Sequence, residues 1–401
     1  MHLRYNYRLY PTPSQQAALA RAFGCARVVF NDALAAREQA HAAGRPYISD
    51  AELFRRLTLA KRTPERAWLN EVSAVVLQQA LADLNAAYQN YFASLKGERN
   101  GSKVGVPRFR SRKDHRQAIR FTANARFQLL PNGKLRLPKI GDVRVRWSRP
   151  LLSRPSSVTV TKDPAGRYFA SFVVETNPGT LPETEPVLGI DLGLKHFAVL
   201  SDGRKIDCPR FLRRAENKLK RKQRDLSRKQ EGSHNRDKAR VTTARANARV
   251  ADARRDFHHQ LSTRLIRDNQ AIAVEDLAIN GLARTRLAKS VHDAGWASFV
   301  NMLEYKARLY GREFHRIGRF TPTSRTCSQC DAKDGPKPLY VRIWRCRGCG
   351  AWLDRDINAA VNVAKAAGLA VTACGARVRP ELVTVLRGEA GTLSKSRQEV
   401  P

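Results

Sequence analysis

The sequence predicts an α+β protein of several domains, and three observations predict it. Apolar residues recur at helical spacing through much of residues 11–96. Strand-like runs broken by turn residues fill residues 126–174. From residue 187 short apolar strands alternate with long charged helices, up to two cysteine pairs near the C-terminus. The chain has 401 residues, 42% of them hydrophobic, enough for a sizeable core in more than one domain.

The first ten residues alternate aromatic and basic types, as a short strand does. Thr12-Pro13-Ser14-Gln15 reads as a helix start, with a Thr cap, Pro at the first helical position and Gln in the capping-box place. Leu19, Phe23, Ala26, Phe30 and Ala33 follow as one helical stripe. Residues 50–61 and 71–95 are expected to be helical, and Leu77, Leu81, Leu84, Tyr88 and Phe92 form a stripe for core packing. Residues 126–130 and 134–137 flank Pro-Asn-Gly, and residues 157–161 and 168–174 flank Asp163-Pro-Ala-Gly166. Those runs suit a small β-barrel or sheet into which the helices are inserted. Residues 176–186 read as a linker.

A strand is expected over 187–194, a second over 197–200 before the turn Ser201-Asp202-Gly203, and a third over 271–274. Gly232-Ser233 divides residues 210–255 into two long helices, and a further helix lies near 293–310. The tail, residues 376–401, is expected to be disordered.

The formal net charge is +37. Residues 96–120 carry nine Lys or Arg against two acids, and residues 210–255 carry 17 against five. Repulsion of that size is best neutralised by a polyanion, which points to nucleic acid. No apolar run is long enough to span a bilayer, and the start lacks the apolar core of a signal peptide. The expected location is therefore the cytoplasm, where thiols stay reduced. Cys25, Cys208 and Cys374 are read as ordinary thiols.

Cys327-Ser-Gln-Cys330 and Cys346-Arg-Gly-Cys349 have the spacing of a four-thiolate zinc site. Four sulfurs fill a tetrahedron and leave no open position, so such an ion is structural and chemistry must come from elsewhere. The candidates are acids. Asp191 lies between Gly189 and Gly193 on one face of a strand whose other face, Leu188, Ile190 and Leu192, points to the core. Glu275 ends an apolar strand, where an acid has no packing role. At the third position Asp354 looks like a helix N-cap, and Asp356 lies in the first turn, where the helix dipole also favours an acid. Local physics leaves both open. Three carboxylates on separate elements suit a pair of Mg²⁺ ions, which prefer oxygen ligands, acting on a phosphodiester.

Three segments carry a resemblance: Gly189-Ile190-Asp191-Leu192-Gly193, Val274-Glu275-Asp276-Leu277, and the second cysteine pair followed by Asp354-Arg355-Asp356-Ile357-Asn358. Together they resemble the RuvC motifs and zinc ribbon of the TnpB/OrfB family, insertion-sequence-encoded relatives of the type V CRISPR effector nucleases. The opening residues 7–15 and 23–31 resemble the family's N-terminus, and Pro107-Arg-Phe-Arg-Ser-Arg-Lys113 its basic central motif. The match runs from about residue 3 to 375, with Asp331 standing where Gly is usual.

The resemblance implies an arrangement of domains. A β-barrel wedge domain spans residues 1–10 and 97–180, with a helical recognition domain inserted at 11–96. A RuvC/RNase H-like nuclease domain spans 187–320 and 351–375, and a zinc ribbon 321–350. It also implies the activity, RNA-guided cleavage of double-stranded DNA beside a short flanking motif. Asp191, Glu275 and Asp356 would hold catalytic Mg²⁺, and Cys327, Cys330, Cys346 and Cys349 a structural Zn²⁺. A transposase, or a guided DNA-binding regulator without nuclease activity, is the alternative for the same fold.

Overall fold

The alternating N-terminus forms strand β1 (His2–Tyr10), which buries Tyr5, Tyr7 and Leu9 and turns Arg4, Asn6 and Tyr10 outward. The computed structural model describes residues 1–177, 179–338, 340–371 and 377–378; the chain divides into two units, Met1–Asn177 and Pro178–Pro401. The tail expected to be disordered lies outside the described residues, apart from 377–378, as does Cys374.

In the first unit Thr12 caps α1 (Pro13–Ala42). Its hydroxyl accepts from the Gln15 N–H, and the Gln15 side chain accepts from the Thr12 N–H, which completes the capping box. The stripe from Leu19 to Ala33 is buried as expected. Helix α2 (Asp50–Ala60) and helix α3 (Ala74–Leu95) follow; α3 buries Leu77, Leu81 and Leu84 and leaves Phe92 exposed at its end.

Six further strands join β1: β2 (Gln117–Thr122), β3 (Gln128–Leu129), β4 (Lys134–Leu137), β5 (Gly141–Arg146), β6 (Pro155–Lys162) and β7 (Tyr168–Glu175). They form one antiparallel sheet in the order β2-β6-β7-β1-β5-β4-β3. The end strands β2 and β3 do not pair with each other, so the barrel is a half-barrel. The run expected at 126–130 yields only the two residues of β3; Arg126, with a left-handed φ of 55°, closes the 3-10 turn Ala123–Ala125, and the strand starts after it. Helices and sheet share one apolar core in this unit.

The second unit is built on a mixed sheet in the order β10-β9-β8-β11-β12. Its strands are β8 (Val187–Asp191), β9 (His196–Leu200), β10 (Lys205–Asp207), β11 (Ala271–Glu275) and β12 (Glu313–Ile317). Strands β8, β11 and β12 run parallel; β9 pairs antiparallel with β8, and β10 antiparallel with β9. Helices α4 (Phe211–Ser227) and α5 (His234–Asp268) form the two long basic helices, and Ser233 caps the second. Short helices α6 (Ile279–Leu282) and α7 (Ala288–Ala294) lead into α8 (Trp296–Tyr310).

Leu261 and Leu265 of α5, with Phe299 and Leu303 of α8, cover one face of this sheet against Leu188, Ile190, Ile272 and Val274. Hairpin β13 (Ile343–Arg345) and β14 (Trp352–Asp354) then delivers α9 (Arg355–Ala366) to the opposite face. No helix among the described residues is long and apolar enough to cross a membrane.

Candidate metal centres

Side-chain alternation sets the first two acids. On β8, Leu188 and Ile190 enter the core under α5 and α8, while Val187, Gly189 and Asp191 turn towards α9. On β11, Ile272 and Val274 share the first face and Ala271, Ala273 and Glu275 the second. The strands are parallel, with Ala273 opposite Gly189 and Val274 opposite Ile190, so Glu275 comes level with Asp191 one step further on. The third acid arrives on α9. That helix can lie so near because residue 189 has no side chain: a Cβ there would fall 2.0 Å from the Ala360 carbonyl oxygen and 2.8 Å from the Ala364 nitrogen. Asp191, Glu275 and Asp356 accordingly line one cleft of about 520 Å³.

Asp354 and Asp356 have different surroundings. Asp354 is the N-cap of α9, accepting from the N–H groups of Asp356 and Ile357 at 3.0 and 3.1 Å, and Lys205 of β10 pairs with it at 2.5 Å. Against the cost of burial, Lys205 and those N–H groups hold its carboxyl below the usual range. Asp354 is thus engaged as a cap, whereas Asp356 faces the cleft, with Arg342 3.1 Å from it.

Burial first, then the negative charges of Glu275 and Asp356, push the Asp191 carboxyl up to about 7, with Arg355 acting in the opposite direction. Burial, helped by Asp276, pushes Glu275 up as well. Like charges crowded in a half-buried cleft are costly without a cation, and the acids there offer hard oxygen donors with no His or Cys among them. The donor chemistry of the three acids suits Mg²⁺. Arg319, Arg325, Arg342 and Arg355 also line the cleft. Sequence reasoning missed these four arginines; the one local signal was Arg355, between the two candidate aspartates.

The cysteine sites are two copies of one turn. Cys327 N–H donates to Ala332 O and Cys346 N–H to Ala351 O, both at 2.9 Å. Asp331 N–H donates to Cys327 O and Gly350 N–H to Cys346 O. Gln329 and Gly348 each aim a backbone N–H at the first sulfur of their own pair. Asp331 and Gly350, each following the second cysteine, have φ of 58° and 73°. Position 331 therefore demands a left-handed residue, which explains why Gly is usual there; the Asp331 carboxylate meets Lys365 of α9 at 3.0 Å.

All four sulfurs lie within 4.8 Å of one another, with Cys327 and Cys349 3.8 Å apart and Cys330 and Cys346 3.6 Å apart. A tetrahedral ion with bonds of about 2.3 Å has sulfur–sulfur edges of about 3.8 Å, so the cluster fits zinc. The backbone N–H groups of Cys349 and Gly348 bring the Cys346 thiol down to about 7, against the cost of burial.

Two asparagines fasten this ribbon to α9. Asn358 donates to Thr326 O at 2.8 Å and accepts from Ser328 N at 2.8 Å; Asn362 donates to Thr323 O and Thr326 O at 2.7 and 2.6 Å. Both side chains are buried. Their i, i+4 spacing beneath Asp354 was visible in the sequence, but not what they bind.

Three family models match the chain: "Probable transposase" over residues 171–286, "Cas12f1-like, TNB domain" over 296–363, and "Helix-turn-helix domain" over 1–46. A protein of Streptomyces pristinaespiralis named "Putative RNA-guided DNA endonuclease" is 44% identical over 94% of this chain and 92% of its own length. An Escherichia coli K12 protein of the same name, InsQ, is 30% identical over 94% of each. Among solved structures, CasPhi-2 (Cas12j) bound to crRNA is 10% identical, covering 92% of this chain and 98% of that one, with a TM-score of 0.40. With the Streptomyces and Escherichia coli proteins matched along nearly their whole length, the chain belongs to the TnpB/OrfB family.

Proposed function

We infer that this protein is an RNA-guided DNA endonuclease encoded by a transposable element, cutting its target by metal-dependent phosphodiester hydrolysis. One observation carries the reading: Asp191, Glu275 and Asp356, from β8, β11 and α9, line a single cleft among four arginines. The named activity of the relatives agrees with it. On the same reading residues 1–10 and 97–180 are the wedge, 11–96 the recognition domain, 187–320 with 351–375 the nuclease and 321–350 the ribbon. The protein would work in the cytoplasm.

Asp191, Glu275 and Asp356 would hold two Mg²⁺. When bound, such a pair activates the attacking water and stabilises the leaving oxygen. The chain's own groups do the rest. Gly189 lets α9 bring Asp356 to the strand ends. Asp354, held by Lys205, fixes the start of that helix. Arg319, Arg325, Arg342 and Arg355 supply positive charge for the substrate phosphates. The basic helices α4 and α5 are suited to phosphate contacts that confer affinity without sequence information. Base pairing with the guide would read the target, while the protein reads a short flanking motif.

The test is reconstitution with the RNA that copurifies with the expressed chain. Binding should weaken steeply with salt, since many counterions are released. Guided cleavage should require Mg²⁺ and vanish in Asp191→Ala, Glu275→Ala and Asp356→Ala, with guided binding retained. Joining of element ends in place of guided cutting would make the protein a transposase. Guided binding with no cutting by the unaltered protein would make it a regulator.

A further inference from the structure

The basic segment between α3 and β2 takes no part in the cleavage chemistry, yet its backbone is pinned. Residues 103–116 form neither helix nor strand. Asn31 of α1 grips the segment at Arg110: its Oδ1 accepts from Arg110 N at 2.8 Å and its Nδ2 donates to Arg110 O at 3.0 Å. The two bonds imitate one rung of an antiparallel ladder. The Arg110 guanidinium turns inward, 3.9 Å from the centre of the Phe30 ring and 3.2 Å from Asp83, which also pairs with Arg120. Upstream, Ser94 Oγ accepts from Val104 N at 2.9 Å; downstream, Asp114 accepts from Arg116 N at 3.0 Å.

With Arg110 turned in, Phe109 is turned out and is 53% exposed. A loose loop would fold such a ring back onto the protein to recover its burial. Here the clasp holds the next residue and prevents that. Arg108, Arg112 and Lys113 are exposed too, and among the described residues no carboxylate pairs with them. A bare aromatic face among exposed, unneutralised cations on a pinned backbone matches one ligand chemistry, a strand whose base is unstacked and whose phosphates flank it. A continuous duplex offers the phosphates but no free base face.

Resting on the nucleic-acid reading above, we propose that Phe109 stacks on an unpaired base of the bound strand, with Arg108, Arg112 and Lys113 holding the phosphates beside it. The full chain, freed of copurified nucleic acid, is titrated with short labelled single strands of DNA and RNA of one sequence, and with a blunt DNA duplex. Phe109→Ala should weaken single-strand binding about 5-fold or more, the lower bound for losing one base–aromatic stack. It should leave the slope of log affinity on log salt unchanged. Phe109→Tyr should restore affinity and Phe109→Leu should not. Replacing Arg108, Arg112 and Lys113 together by Ala should reduce the slope by about 2, at about 0.7 per single-strand contact.

Asn31→Ala, which frees the ring from its clasp, should also weaken single-strand binding, and thermal melting of each variant separates this from unfolding. A larger Phe109→Ala loss on RNA assigns the site to the guide, a larger loss on DNA to a target strand, and equal losses to both. Wild-type affinity in Phe109→Ala, restoration by Leu, or an equal loss on the duplex overturns the proposal while leaving the wider reading intact. An unaltered protein that binds no nucleic acid overturns both.

Discussion

Gly189→Ala tests how the cleft is assembled, because a single added methyl group meets backbone. The new Cβ would lie 2.0 Å from Ala360 O, 2.8 Å from Ala364 N and 3.0 Å from Ala364 Cβ, where real Cβ contacts essentially never fall below 3.0 Å. Helix α9 must therefore retreat from β8 by at least 1.0 Å, the difference between 3.0 and 2.0 Å, and Asp356 sits at its N-terminal end. Overpacking of this kind costs about 1–3 kcal/mol. For a unit of this size that lowers the melting temperature by about 2–12 °C. A displacement of about 1 Å at a reacting centre costs about 100-fold in rate. Guided plasmid cleavage by the Gly189→Ala protein should fall by that factor or more, with zinc content and guided DNA binding retained. Gly335→Ala is the control, since a Cβ there meets nothing within 4 Å and its φ is not positive. Cleavage and melting at wild-type values in Gly189→Ala would refute the claim that α9 is seated on β8 through this glycine.

The neighbouring aspartates should separate. Asp354→Asn keeps a capping side chain and should retain substantial cleavage, whereas Asp356→Asn removes a charge from the cleft and should lose nearly all; the reverse result in a cleavage assay would move the third ligand to Asp354. The purified protein should contain about one zinc per chain, counted by metal analysis, as expected of four thiolates closing one tetrahedron. Cys346→Ser should destabilise the ribbon and cost cleavage through the helix it leads into, as should Asn358→Ala, which leaves the Ser328 N–H without its acceptor. His258 is buried between Phe197 and Phe299, its ring nitrogen 2.9 Å from Ala294 O; burial, with Arg254 and His259, pushes it down to about 4. The fold therefore holds this ring neutral, so its contribution is complete above about pH 6.5 and is lost as pH falls towards 4, by at most about 3 kcal/mol. Melting curves between those pH values should show a shallower decline in His258→Phe than in the wild type, and parallel declines would exclude His258 as a source of the acid sensitivity.

What the sequence determined by itself was whatever a few neighbouring residues can satisfy among themselves. The capping box at Thr12 and Gln15 closes within four residues, and the stripe from Leu19 to Ala33 needs only helical period. The paired cysteines at i and i+3 define their own knuckles, and alternation along β8 put Asp191 on the face opposite Ile190 before any partner was known. Tertiary structure decided what depends on register and approach. Asp354 and Asp356 are equally acceptable to a helix start, and only the direction of the cleft and the presence of Lys205 distinguish them. The level of Glu275 with Asp191 follows from strand pairing across more than eighty residues of intervening chain. The openness of the first sheet follows from which strands fail to meet, and Arg126 closes a turn at the start of a run that its apolar neighbours favoured as strand. The cleft arginines carry no periodic signal, and the i, i+4 spacing of Asn358 and Asn362 does not say what they bind, because a polar side chain is explained only by the partner it reaches, and here those partners lie on other elements of the fold.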